Sequence, residues 1–168
     1  MSDVAEKQTL KIIDDVLSPE QWININFKGK EPVKVFLQIP KIVQLILKAE
    51  GKDVYEFHTK WDVTDDPTTF YGSWRGGRTE DRWSKTYVYA IGQGAQGKDG
   101  LGWLTIWLRG EIETSYDYTN FIQRNLWWFY NMRFYYKQRR AYLEQGKDFI
   151  YMIRDEMRMK LGIQPNMG

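Results

Sequence analysis

A chain of 168 residues that is 42% hydrophobic and 27% charged can bury a real core, which excludes disorder and favours one domain, 1–168. With a net charge of +2, any binding of nucleic acid or of an anionic surface must come from local patches. The absence of cysteine removes disulfides, thiol nucleophiles and thiolate metal sites. The polar start MSDVAEKQ and the lack of any apolar run near ~18 residues predict a soluble, cytoplasmic chain with no membrane span. The 16% aromatic content, eight Trp among it, is high enough that the rings must fill a thick core or line a pocket or an interface.

Taken in order, Ser2 to Leu17 carries Val4, Leu10, Ile13, Val16 and Leu17 at a spacing that predicts a short amphipathic helix. Ile23, Ile25 and Phe27 alternate with asparagines, as in a strand. Val33 to Ile39 also alternates, and Pro40 then opens a helix that runs from Lys41 to Glu50. Val54 to Val63 predicts a strand with Tyr55, Phe57, Thr59, Trp61 and Val63 on one face and Glu56, His58, Lys60 and Asp62 on the other. Phe70 to Trp74 reads as a short strand, Arg75 to Arg78 as a basic loop, and Arg82 to Ile91 as a strand. Gly92 to Gly102 holds five glycines and reads as an extended hairpin connection. Trp103 to Thr114 is the last strand, with Leu104, Ile106, Leu108 and Ile112 on its core face.

Thr119 to Gly162 dominates the chain. Unbroken, it would be a helix about 65 Å long at ~1.5 Å per residue, beyond a body of roughly 15 Å radius of gyration. The reading is therefore a helix from Thr119 to Gln145, a break at Gly146, and a second helix from Lys147 to Leu161. Phe121, Trp128, Phe129, Met132, Tyr135, Tyr136 and Leu143 fall on one face, predicted to lie on the sheet. Trp127, Tyr130 and Phe134 point the other way. They need cover from another element or from a second copy, which would make a homodimer closed by a two-fold contact.

The order of helix, strands, helix, antiparallel meander and long terminal helix predicts an α+β fold, a curved antiparallel sheet packed on a C-terminal helix, with an extra N-terminal helical segment. On VKVFLQIP, running from strand into helix at Pro40, on the meander, and on the terminal helix from Thr119, the chain resembles the helix-grip superfamily of START and Bet v 1-like domains. The likeness covers roughly Val33 to Gln145, with fewer strands than that superfamily has and an added N-terminal segment. It implies a sheet curved around the terminal helix and an apolar ligand held between them.

The leading functional expectation is a non-enzymatic binding module for an apolar small molecule, lined by Tyr55, Phe57, Trp61, Trp83, Tyr87, Trp128 and Met132, with no cofactor. An alternative of another class is a single-stranded nucleic-acid binder. It would use Trp74, Arg75, Arg78, Arg82 and the stripe of Arg133, Lys137 and Arg140, because stacking on bases needs rings and cations side by side. A structural, self-associating protein is a further alternative. Chemistry is thinly provided for. His58 is the only histidine, which argues against zinc, and no Gly-x-Ser-x-Gly motif is present. Arg109, Glu111, Glu113 and His58 are the one concentration of proton-transfer groups. Asp62, Asp65 and Asp66 read as a solvated turn. Gly92, Gly94 and Gly97 match Gly-x-Gly-x-x-Gly but run into a strand instead of a helix, which removes the phosphate-binding dipole.

Overall fold

A computed structural model describes residues 5–164. Its elements are β1 (Gln8–Asp15), β2 (Ile23–Lys30), α1 (Pro32–Leu47), a short 3-10 turn (Gly51–Asp53), β3 (Val54–Asp62), β4 (Thr68–Thr79), β5 (Ser84–Gln96), β6 (Leu101–Tyr118), and a long helix from Phe121 to Lys160. That helix has an α2 section (Phe121–Tyr130), a π turn (Asn131–Tyr135) and an α3 section (Tyr136–Lys160). The fold is α+β: a curved, unclosed, six-stranded antiparallel sheet with a helix in its N-terminal third and a long C-terminal helix.

β6 organises the sheet. Its 18 residues pair with β5 along one edge, while the other edge is shared by β1, opposite Glu111 to Tyr118, and β2, opposite Leu101 to Leu108. The inward row Leu104, Ile106, Leu108 and Ile112 is fully buried, as the alternation requires. α1 and α3 cover that face and complete the core with Phe36, Ile39, Val43, Leu47, Ile150, Ile153 and Met157. The opposite face of the sheet is left open.

Several elements differ from the sequence reading. The helix predicted over Ser2 to Leu17 is strand β1 where the chain is described, at Gln8–Asp15; residues 2–4 lie outside the described residues. Its apolar positions serve both periods, and pairing with the long edge of β6 decides in favour of the strand. Val33 to Ile39 is helical, not extended, because α1 starts at Pro32. Val35, Phe36, Ile39, Ile42, Val43 and Leu47 then form one buried face, and that burial outweighs the backbone bond lost at Pro40 inside the helix.

The basic loop predicted at Arg75 to Arg78 is the second half of β4, and the glycine-rich stretch is strand as far as Gln96. Gly92 is there for close approach: a Cβ would come within 2.8 Å of Ile39 and 3.0 Å of Phe36, so only glycine lets α1 settle on β5. The break expected at Gly146 is absent. Gly146 is buried in α3, where a Cβ would meet Val16 at 3.2 Å, and the irregularity lies further back, in the π turn. The helix keeps its full length of about 60 Å, and its amino half projects past the core that holds its carboxyl half.

Candidate functional site

The amino half of the long helix is seated on the sheet by a narrow line of side chains. A π turn takes up about one extra residue, so Trp127, Asn131, Tyr135 and Arg139 all face inward although a regular α-helix would drift by ~40° at each step of four. Trp127 stacks on Tyr116 of β6 at 4.7 Å between ring centres, and its indole N–H donates to the Asp117 carbonyl at 2.9 Å. Trp83 stands edge-on to Trp127, Tyr130 and Tyr135 at 6.0, 5.7 and 5.3 Å. The rings fill the seam between helix and sheet. Tyr116 is fully buried, its hydroxyl has no hydrogen-bond partner, and burial pushes its pKa up to about 12.

A polar cluster closes the seam on the carboxyl side. Asp81, in the β4–β5 loop, accepts from the Trp83 and Ser84 backbone N–H groups at 2.8 and 2.9 Å, and from the hydroxyls of Tyr135 at 2.5 Å and Tyr142 at 2.8 Å. Burial pushes the Asp81 carboxyl up, but the hydrogen bonds led by that of Tyr135 outweigh it and hold the group below the usual carboxylate range. Burial first and the Asp81 contact second raise both tyrosines, Tyr142 to about 12. Ser84 Oγ lies 2.8 Å from both Thr114 Oγ1 and the Tyr135 hydroxyl. One turn on, Arg139 donates to Asp14 of β1 from Nη2, at 2.6 and 2.7 Å to the two carboxylate oxygens, and from Nε at 3.1 Å, and its Nη1 donates to Asn131 at 2.9 Å.

The outward side of the same helix half is different. At ~100° per residue, Phe121, Ile122, Asn125, Trp128 and Phe129 occupy the side opposite Trp127 and Tyr130, with Leu126 and Arg124 on its shoulders. Phe121 is 71% exposed and Met132 69%, and Ile122, Leu126, Phe129 and Phe134 are open to a similar degree. From Tyr118 to Leu143 there is no acidic residue, whereas Arg124, Arg133, Lys137, Arg139 and Arg140 are cationic. Arg139 is held by Asp14, and the other four are exposed.

The face predicted to lie on the sheet is thus largely the outward one. Phe121, Trp128, Phe129, Met132 and Tyr136 are exposed, while of that set Tyr135 is buried and Leu143 packs half-buried against the core. Trp127 and Tyr130, predicted to need a second element or a second copy, are covered by Trp83 and Tyr116 of their own chain, while Phe134 stays exposed. An aromatic count per face could not separate the two sides; the inward side is marked by the polar residues Asn131 and Arg139, whose partners are distant in sequence.

The seven residues assigned to an apolar pocket are dispersed. Tyr55, Phe57 and Tyr87 lie on the open face of the sheet around the Arg75 guanidinium, at 5.2, 5.5 and 4.7 Å. A β-bulge between Glu56 and His58 puts Tyr55 opposite Arg75 and Trp61 opposite Phe70, so these two share no face. Trp61 packs on Phe36 and Phe70 and lines a shallow depression of about 660 Å³ with Tyr71 and Trp103. Trp83 lies under the helix, and Trp128 and Met132 on its outside.

The residues of the nucleic-acid alternative are also divided. Trp74 is buried, with its indole N–H donating to Glu56 at 3.2 Å, and no base can stack on it. Arg78 pairs with Glu80 and lies over Phe149, Arg82 lies over Trp83, and Arg133, Lys137 and Arg140 are on the long helix. On the open face, Arg109 bonds Glu111 at 2.5 Å and lies over Tyr89 and Trp22, while Glu113 pairs with Lys11. His58 is exposed, its ring 6.0 Å from that of Tyr71. Among the described residues, no cluster of three or more acidic or histidine side chains is placed to hold a metal.

The fold and these surfaces define an α+β protein with an unclosed antiparallel sheet, aromatic clusters, and a long helix apolar on both sides of its amino half. No protein-family profile and no curated protein matches the chain. A structure search matches an uncharacterised protein from Rhizobium leguminosarum at 9% identity, over 95% of this chain and 99% of that one, with a TM-score of 0.23. That overlap carries no inference about fold or function. No helix among the described residues is long and apolar enough to cross a membrane.

Proposed function

We propose that the protein is a non-enzymatic binding module that docks through the outward face of α2 and the π turn. One observation carries this reading. Phe121, Ile122, Trp128, Phe129 and Met132, with Leu126 on the shoulder, together leave roughly 600 Å² of apolar surface in water, taking about 40–70% of an aromatic or aliphatic side chain each. That is the upper end of the largest patch on a typical monomer, about 300–600 Å², and such patches are often functional. The packed seam behind α2 supports the same reading, since the rings of Trp83, Tyr116 and Trp127 hold the helix in place without needing its outward side.

The outward side chains support no core contact, so they can be changed with little effect on folding. The Phe121→Glu/Phe129→Glu protein is expected to keep the wild-type urea midpoint while losing most of its retention on a butyl matrix and most of its binding of an apolar dye. Unchanged retention in a folded variant would remove the reading.

A small-molecule site is a second reading, favoured by one observation at the edge of the sheet. The depression beside Trp61 and Trp103 is bordered by Thr59, whose hydroxyl is buried without a partner. Thr59 and Trp61 stand on the same side of β3, opposite Gly72 and Phe70, so an apolar molecule with one polar atom entering there would meet the Trp61 indole and that hydroxyl together. This keeps the apolar-ligand expectation but places it at the sheet edge. Native mass spectrometry of the purified protein, with Trp61→Ala beside it, tests this: a bound mass lost in the variant supports the site, and no bound mass in the wild type counts against it.

A further inference from the structure

Resting on the α2 docking surface just proposed, we infer that its partner is an anionic lipid bilayer, with the amino half of the long helix lying in the interface between headgroups and acyl chains. The argument is one of shape and charge. The surface is a convex, protruding helix and not a groove, so it suits a deformable apolar medium that closes around it. Its exposed chains are Phe, Trp, Leu, Ile and Met around Asn125, with Arg124 on one shoulder and Arg133, Lys137 and Arg140 further along the helix, as in helices that lie in a membrane interface.

Charge selects among possible occupants. The stretch from Tyr118 to Leu143 offers Arg124, Arg133, Lys137 and Arg140 and contains no carboxylate, the first beyond it being Glu144, one turn after Arg140. A second copy paired by a two-fold contact has enough area to gain, but it would bring four cations against four and repel. Anionic headgroups meet the same cations with the opposite sign while the apolar chains enter the acyl region. The helix need not cross the bilayer, and no helix among the described residues is both long and apolar enough to do so. The sheet-bound side, anchored by Trp127, Tyr130 and Tyr135, would stay on the protein.

The experiment is flotation of the full chain with vesicles of phosphatidylcholine alone and of phosphatidylcholine mixed with phosphatidylglycerol, at low and high salt. The wild type is expected to float with the mixed vesicles at least about tenfold better than with the neutral ones, and to lose that preference at high salt. Arg133→Gln/Lys137→Gln/Arg140→Gln should remove the preference, and Phe121→Gln/Phe129→Gln should remove the binding, each with an unchanged urea midpoint. No flotation at low salt, or equal flotation with both vesicles, overturns the lipid inference. If in that case the wild type self-associates and Phe121→Gln/Phe129→Gln does not, the docking surface survives with a second copy as its partner. If the substitutions change neither flotation nor association, both the inference and the docking reading fall.

Discussion

Asp81→Ala is expected to lower the stability of the protein by about 3 kcal/mol, read as a fall in the urea midpoint at an unchanged slope. The substitution removes an acceptor that four donors share: two backbone N–H groups of the β4–β5 loop and the hydroxyls of Tyr135 and Tyr142. Tyr135 can still reach Ser84, but Tyr142 loses its carboxylate partner and the loop loses the bonds that shape it. Asp81→Asn keeps an acceptor at the same place and should cost about half as much, since bonds to a charged acceptor are roughly twice as strong.

The same cluster sets a pH dependence with two limbs. Asp81 is held below the ordinary carboxylate value, so the folded chain binds fewer protons than the unfolded one as the pH falls below about 4. Its contribution is complete above the unfolded value and is lost as the pH drops through the folded one. Tyr142 is raised, so the folded chain holds its proton longer. That contribution is complete below about 10, the unfolded tyrosine value, and is lost as the pH climbs toward the folded value of about 12. Urea midpoints of wild type and Asp81→Asn should therefore converge at acid pH. A constant gap from neutral pH to strong acid, or an Asp81→Ala midpoint equal to wild type, would show that the cluster is idle.

The sheet was the legible part of the fold. Strict alternation at Leu104, Ile106, Leu108 and Ile112 and at Ile23, Ile25 and Phe27 identifies strands because one face of each meets the core. Where an apolar pattern fits two periods, the sequence is ambiguous. Val33 to Ile39 alternates well enough for a strand, yet Phe36, Ile39, Val43 and Leu47 also make a helical face, and packing against Gly92 decides between them. Alternation alone puts Tyr55 and Trp61 on one face, because a bulge adds no residue type by which to recognise it.

The long helix shows the same limit from another side. With aromatics all around its amino half, apolarity carries no information on which side is buried. The decisive contacts join Trp127 to Tyr116, Tyr135 to Asp81 and Arg139 to Asp14, the last across 125 positions. Two signals at the site were present in the sequence. One is the acid-free, cationic stretch from Tyr118 to Leu143. The other is Asp81 placed to accept from the backbone of Trp83 and Ser84, an arrangement typical of a turn aspartate. Nothing local marks Tyr116, whose hydroxyl becomes an orphan only when the helix closes over it.

Arg139→Ala is expected to cost about 3 kcal/mol, at the lower end of what breaking a buried ion pair costs, because water still reaches part of Asp14. Two residues lose their donor together: the Asp14 carboxylate, bonded through three short contacts, and the buried Asn131 side chain. The damage should be local. Arg139 ties β1 to the long helix, and without it the amides of Leu10 to Asp14 should exchange faster than those of β5, which is flanked by strands on both sides. The pair need not be net favourable relative to apolar replacements. Desolvating both charges is expensive, so Arg139→Met/Asp14→Leu should recover most of the loss seen in either single variant. Urea denaturation of Arg139→Met, Asp14→Leu and the double variant completes the cycle. A double variant that simply adds the two single losses would mean that Arg139 and Asp14 act independently, and an Arg139→Ala midpoint equal to wild type would mean that the helix is held on β1 by its aromatic line alone.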